Sequence, residues 1–198
     1  MSATRLLILG AIIERGSAHG YQVRKDLESW QVELWGNIGQ GSVYHALRRL
    51  AADGLIDRTE SEQSGEGPAR VEYAVTDAGR AEFVTLLERA LSSDGRDISE
   101  TMAGIGFITT LTRGRAVELL RLRIKTFRAR RARVVSEYEN HPDEDWGHHV
   151  EAIQFWAHSA DSAIAWTEGL IARLESGAYP MADDEPPGDR PPESAVGR

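Results

Sequence analysis

Apolar residues along the first half of the chain recur at helical steps in short runs separated by glycines. Leu6, Leu9, Ile12 and Ile13 predict an amphipathic helix that Gly16 ends after about three turns. Ser17 is placed to cap a second helix whose inner positions are Val23, Leu27 and Trp30. Gly36, Gly39 and Gly41 bracket a turn, beyond which Val43, Leu47 and Leu50 form the buried stripe of a third helix ending at Asp53-Gly54. At about 100° per residue, His45, Arg48 and Ala52 fall on the opposite face, with Ser42, Tyr44 and Arg49 on its flanks. Three short helices joined by tight, glycine-containing turns make the core of a helix-turn-helix unit. Leu55–Arg58 and Val71–Val75 then read as two strands around the polar loop SEQSGEGPAR, where a wing would sit. Thr76 or Asp77 caps a fourth helix carrying Phe83, Leu86, Leu87 and Leu91.

The second half changes period. After a linker, Ser92–Asp97, the residues Val117, Leu120, Ile124, Phe127, Arg131, Val134 and Tyr138 step by three and four alternately, a heptad-like seam interrupted by Arg131. Ile153, Trp156, Ala160, Ala163, Thr167, Leu170 and Leu174 form a second seam. Two such helices bury their stripes against one another or against a second copy of the chain. From Pro180 onward the chain holds five of its seven prolines among Asp, Glu and Gly, which predicts a disordered tail over 180–198.

With 198 residues, 41% of them hydrophobic, the chain is long enough for one domain or two small ones. No run of about 18 apolar residues is present, and the apolar stretch Leu6–Ile13 has no small-residue cleavage site after it, so neither membrane insertion nor export is expected. Cysteine is absent, which removes disulfides and thiolate chemistry and agrees with a cytoplasmic location. No phosphate loop, nucleophile elbow or HExxH motif occurs, so an enzyme is not expected and no cofactor is called for. His141, His148, His149 and His158 lie among carboxylates without the spacing of a metal site, and are read as surface residues, with no metal. The net charge of −8 opposes a broadly basic surface. Residues 1–91 hold ten basic against thirteen acidic side chains, so any phosphate-binding surface must be local.

In their order along the chain, LLILGAIIERGSAHGYQVRKDL, GSVYHALRRLAADGLI and RVEYAVTDAG resemble the PadR family, the phenolic-acid-responsive type of bacterial transcriptional regulator. The resemblance spans Leu6 to about Leu91, while the second half resembles, in length and helix pattern, the longer virulence-activator-like helical domain of part of that family. It departs at Gly39-Gln40, where the family often has Ser or Asn followed by Pro, and in a wing whose one cation is Arg70. The resemblance implies a mainly α protein: an N-terminal winged helix-turn-helix with a two-stranded wing (residues 1–91) and an all-α C-terminal dimerisation and effector domain (98–177). It implies a homodimeric, sequence-specific DNA-binding regulator of ligand-responsive repressor type. The alternative is a helical interaction module that uses a winged-helix fold without DNA.

A helix fits the major groove, its first turn offers free N–H groups to a phosphate, and side chains beyond reach base edges. The candidate double-stranded DNA contacts are accordingly Lys25, Gly41, Ser42, Tyr44, His45, Arg48, Arg49 and Arg70, with Arg24 as a further phosphate contact. The plainer alternatives are Tyr44 half-buried against the first helix, and Arg48 and Arg49 as solvated charges near Asp53 or Glu60. Tyr21 reads as core or dimer packing. Phe127, Tyr138, Trp146, Trp156 and Trp166 are candidates for an apolar cavity holding a small-molecule effector, or equally for core. The segment 113–134 carries nine basic residues against Glu118 alone. Its seam points to a packed helix whose cations meet acidic groups such as Glu137, Glu139, Asp143, Glu144, Asp145 and Glu151, or the partner protomer, rather than to a nucleic-acid patch.

Overall fold

A computed structural model describes residues 2–36, 40–60, 71–94, 97–140 and 146–184. Its elements are α1 (Ser2–Arg15), β1 (Ser17–His19), α2 (Gly20–Ser29), α3 (Val32–Trp35), α4 (Gln40–Ala52), β2 (Ile56–Glu60), β3 (Val71–Val75), α5 (Asp77–Ser92), α6 (Ile98–Gly106), a single 3₁₀ turn (Ile108–Thr110), α7 (Arg113–Glu139) and α8 (His149–Glu175). The chain is mainly helical, with one small antiparallel sheet of order β1-β3-β2.

α1 is not the amphipathic helix its spacing suggests. Leu6, Leu7, Ile8, Leu9, Ala11 and Ile12 are all buried, because α2, α4, α5, α6 and the sheet surround it. Ser17 is not a cap either. It opens β1, an edge strand paired to β3 in the register Ser17↔Ala74, Ala18↔Tyr73 and His19↔Glu72, so the wing sheet has three strands rather than two. His19 starts α2 instead, its backbone N–H donating to the Gln22 side chain at 2.7 Å.

α4 ends as the Asp53-Gly54 pair predicts. Leu55 N–H donates to the Leu50 carbonyl and Gly54 N–H to that of Ala51, with Gly54 at φ +70°, a left-handed C-terminal cap that glycine adopts without strain. From there β2 runs out and β3 returns, in register Ile56↔Val75 through Glu60↔Val71. Thr76 caps α5 by accepting from Gly79 N–H at 3.0 Å, while its hydroxyl donates to the Gly54 carbonyl at 2.9 Å. The start of α5 is thereby fixed to the end of α4. A Cβ at Gly79 would stand 1.9 Å from the Leu55 carbonyl oxygen, which is why that position has no side chain.

The two predicted domains share one continuous core. α6 packs on α1 and α5, and the Phe107 ring lies over Gly10 and meets Trp30 and Phe83 edge-on at 5.6 and 5.5 Å. A two-body reading of 1–91 and 98–177 misses this, since α6 completes the N-terminal core. The α7 and α8 seams pack against each other within the chain: Val117, Leu120, Ile124 and Phe127 are buried, as are Ala160, Thr167, Leu170 and Leu174.

Cations of α7 find acidic partners on α8, on α5 and just past α5; of the expected ones, Asp143, Glu144 and Asp145 lie outside the described residues. Arg121, Arg128 and Arg131 pair with Glu175, Glu168 and Asp161, one flank of the antiparallel α8, while Arg115 and Arg130 pair with Glu88 and Asp94. Antiparallel packing sets this choice, because it brings the facing side of α8 and the end of α5 beside α7.

The expected disorder from Pro180 does not hold over 180–184. Met181 is buried, Ala182 N–H donates to Leu111, and Arg113 joins the carbonyls of Leu174 and Tyr179 to the Asp184 carboxylate. The Arg113 guanidinium, helped by the Met181 N–H, holds the Asp184 carboxyl below its ordinary range. A carboxylate with a lowered folded-state pKa stabilises above its unfolded value, about 3.9, and loses that contribution as pH falls through the lowered one. Asp184→Asn is therefore expected to melt slightly below the parent protein at pH 7, with the two Tm values converging on acidification below the unfolded value. Thermal unfolding followed by circular dichroism at several pH values checks this.

Candidate nucleic-acid interface

α4 lies across the N-terminal end of α2, which sets what it can present. Val43, Leu47 and Leu50 are 0–2% exposed and anchor the back of the helix. Leu47 and the Tyr44 ring both close on Gly20: a Cβ there would stand 2.9 Å from the Tyr44 ring and 3.3 Å from Leu47. A glycine at the start of α2 is thus what allows the two helices to approach. The Tyr44 ring packs on Gly20 of α2 and stays 44% exposed.

Gly41, Ser42, His45, Arg48 and Arg49 are exposed on α4, and Lys25 is exposed on α2. Neither Arg48 nor Lys25 has an ion-pair partner among the described residues. Arg24 is paired to Glu28 at 2.7 Å and Arg15 to Asp26 at 2.5 Å, so the remaining charge of α2 is largely neutralised. Asp53 is taken by Arg5 rather than by Arg48 or Arg49. The arrangement is one face with a short helix, cations at its surface and a half-exposed tyrosine, carried on a buried apolar back. Such a face supplies donors to an acceptor-rich surface.

Gly39 and Arg70 lie outside the described residues. The root of the wing is described: His19 Nδ1 donates to the Val71 carbonyl at 3.0 Å, and Ser17 Oγ donates to Glu72 at 2.6 Å, so the N-terminal end of α2 is tied to the returning strand. Tyr21 is neither core nor hidden: it is 45% exposed and stacks on His19 with ring centroids 6.0 Å apart. Periodicity gave no sign of this, because His19 and Tyr21 flank a helix start rather than share a helix face. Arg58, exposed on β2, was not singled out from the sequence.

The aromatic candidates divide. Phe127, Trp156 and Trp166 line a groove of about 720 Å³ between α6, α7, α8 and the α5–α6 linker. Tyr138 and Trp146 do not: they pair edge-to-face at 5.8 Å beyond it, since Tyr138 lies about 16 Å further along α7 than Phe127. Trp166 remains 46% exposed at the mouth, beside Phe155, Met102 and Ile98 at 76, 40 and 67%. Arg123 is buried at the groove floor, where it donates to the Ala90 and Ser93 carbonyls and to Thr101; its desolvation lowers its pKa. Among the described residues no three His, Cys, Asp or Glu side chains are grouped to hold a metal ion. No helix among them is long and apolar enough to cross a membrane.

Residues 8–85 match the model of the transcriptional regulator PadR-like family. The sequence matches no curated protein. Among solved structures, the chain is similar to Bacillus subtilis PadR in complex with operator DNA, with 20% identity, TM-score 0.40, and coverage of 86% of this chain and 98% of that one. It is similar also to smu.1604c from Streptococcus mutans UA159, at 23% identity, TM-score 0.39 and coverage of 87% and 96%. The PadR-like transcriptional regulator BC1756 from Bacillus cereus has 18% identity, TM-score 0.38 and coverage of 86% and 94%. The matched residues 8–85 include α4, which carries the candidate interface.

Proposed function

We propose, from the match of residues 8–85 to the model of the transcriptional regulator PadR-like family and the surface of α4, that this chain is a sequence-specific DNA-binding repressor of that type. It reads one major groove per protomer with α4 and acts as a homodimer. The observation that carries the reading is the state of α4: its apolar residues are buried, while Ser42, Tyr44, His45, Arg48 and Arg49 all remain at the surface. A helix packed this way has its width and length suited to the major groove, and Arg48 lies where a bidentate contact to guanine or a phosphate clamp is sterically open. Lys25 and Arg49 fit phosphate contacts on either side, and the first turn, with Gly41 and Ser42, offers backbone N–H groups to a phosphate.

Few cations per protomer, in a chain of net charge −8, make a single recognition unit weak, and a two-fold assembly doubles the contact set. Support for that assembly comes from Ile98, Met102, Phe155 and Trp166, large apolar side chains exposed around one groove mouth. A second copy covering this face would also enclose the groove, which then suits a small-molecule effector.

The test is selection of duplexes from a genomic fragment library by the purified protein, repeated at several salt concentrations. Recovery of a two-fold site with half-sites about one helical turn apart and a clear salt slope is expected. Weak, sequence-blind retention would favour a protein-interaction role for the same face. Arg48→Ala is expected to weaken a recovered duplex by about 1–3 kcal/mol, with the circular dichroism spectrum and sedimentation unchanged. Equal affinity of this variant and its parent would remove α4 from the interface.

A further inference from the structure

We propose that Ser99 is a positioning residue for DNA recognition: by holding the Trp35 carbonyl it fixes α3, and α3 seats the first turn of α4. This rests on the reading of α4 as the helix that enters the major groove. Ser99 Oγ donates to the Trp35 carbonyl at 3.0 Å, joining α6 to α3.

α3 does not hold its own place. It is a single turn of four residues, closed by Leu34 N–H to the Gln31 carbonyl at 3.0 Å and Gly36 N–H to the Val32 carbonyl at 2.6 Å. One turn fixes several dihedral angles for very few bonds, so it needs contacts from outside. Gln31, which leads into it, is left-handed at φ +52°, a conformation unfavourable for a residue with a side chain. Val32 is buried and Trp35 partly so, but Leu34 is 75% exposed, and apolar contact adds little more. Two side-chain bonds make up the difference. Trp35 Nε1 donates to the Trp30 carbonyl at 3.2 Å and ties α3 to α2, while Ser99 supplies a donor to the last carbonyl of α3, which has no partner within its own helix.

α6 is a firm anchor for that donor. Phe107, at its C-terminal end, lies in the core over Gly10, and Gly104 is so close to α5 that a Cβ would stand 2.9 Å from that of Ala90. At its N-terminal end, Asp97 caps the helix by accepting from Ser99 N–H at 2.9 Å. Ser99 is in the first turn, so no earlier turn of α6 offers its hydroxyl a carbonyl, and the hydroxyl bonds outward.

The ends of α4 are held by different means. Its C-terminal end is pinned by Thr76 to the Gly54 carbonyl and by Arg5 to Asp53. Ahead of its N-terminal end, the last described element is α3. That end carries Gly41, Ser42 and His45, the groups offered to a phosphate and to base edges in the proposed complex. Base-edge contacts need placement to about 0.5 Å, whereas attraction between cations and phosphates does not. Losing the Ser99 bond therefore costs specific binding before it costs non-specific binding.

The experiment compares the full-length parent with Ser99→Ala and Ser99→Thr by hydrogen–deuterium exchange, by thermal unfolding, and by affinity for a selected duplex and a scrambled one of equal length. In Ser99→Ala, the amides of Tyr44 to Leu47, which close the first turns of α4, are expected to exchange about fivefold faster. Affinity for the selected duplex is expected to fall about fivefold, with the scrambled duplex unchanged and Tm lowered by no more than about 3 °C. Ser99→Thr keeps the hydroxyl and should restore both readouts, and Asp97→Ala, which removes only the cap, should give the same pattern at smaller size. Parental exchange in α4 of Ser99→Ala, equal loss for the two duplexes, or a Ser99→Thr protein no better than Ser99→Ala would each overturn the proposal. A parent that does not distinguish the duplexes would overturn the recognition role together with the DNA reading, and the exchange data would still show whether Ser99 seats α4.

Discussion

Phe107→Ala is expected to destabilise the protein by about 3–5 kcal/mol and to loosen both halves in one transition. Phe107 is 3% exposed and sits where the α6 segment enters the N-terminal core, with Trp30 and Phe83 edge-on to it and α1 beneath it. Removing the ring leaves a cavity bounded by three helices and removes one of the large side chains that join the second half to the first. Gly10 is its complement, since a Cβ there would come within 2.2 Å of the ring. Gly10→Ala should therefore also destabilise, and the double variant should be less unstable than the sum, because the added methyl group occupies part of the space the ring vacates. Urea unfolding monitored by both far-ultraviolet circular dichroism and tryptophan fluorescence decides it. Two separate transitions in the parent protein, with only the second moved by Phe107→Ala, would show that the halves unfold independently.

Gly79→Ala should be as severe, at least about 3 kcal/mol, through a different cause. The methyl group would collide at 1.9 Å with a backbone oxygen, that of Leu55, which is itself fixed by accepting from Thr76 N–H. No side chain can rotate away to make room. Relief requires moving the start of α5 off the end of α4, which breaks the bond of Thr76 to the Gly54 carbonyl and tilts the exposed face of α4. The variant should accordingly lose duplex affinity beyond its loss of stability when both are measured well below its melting temperature. A Gly79→Ala protein with parental stability would contradict the close approach at this junction.

How much of this was legible in the sequence depends on the range of the interaction. Val43, Leu47 and Leu50 declared a buried stripe, and the Asp53-Gly54 stop and the Thr76 cap were readable because each is a bond between near neighbours. β1 was not readable: three residues, Ser17–His19, are too few to show an alternating pattern, and their strand character comes from β3 alone. α3 is a four-residue turn of the same kind. α1 misled, since its spacing suggested one buried face while the surrounding elements bury every residue from Leu6 to Ile12. In the candidate site, the surface residues of α4 followed from counting around a helix. The groove did not, because Arg130 and Asp94 are 36 positions apart and only chain reversal brings them together.

The sequence by itself determined the helix-turn-helix order, the exposed face of α4, the two long helices of the second half with their apolar seams, and the absence of recognisable catalytic motifs. Those properties arise from local periodicity, capping and composition, each acting over a few residues. Only the tertiary structure decided that Phe107 closes on Gly10 and unites the two halves, that the cations of α7 are spent on α5 and α8, that residues 181–184 clasp α7, and that three aromatic side chains share a groove while two do not. Each of those depends on which distant segments share the same few ångströms, and that choice is made by the packing of the whole core.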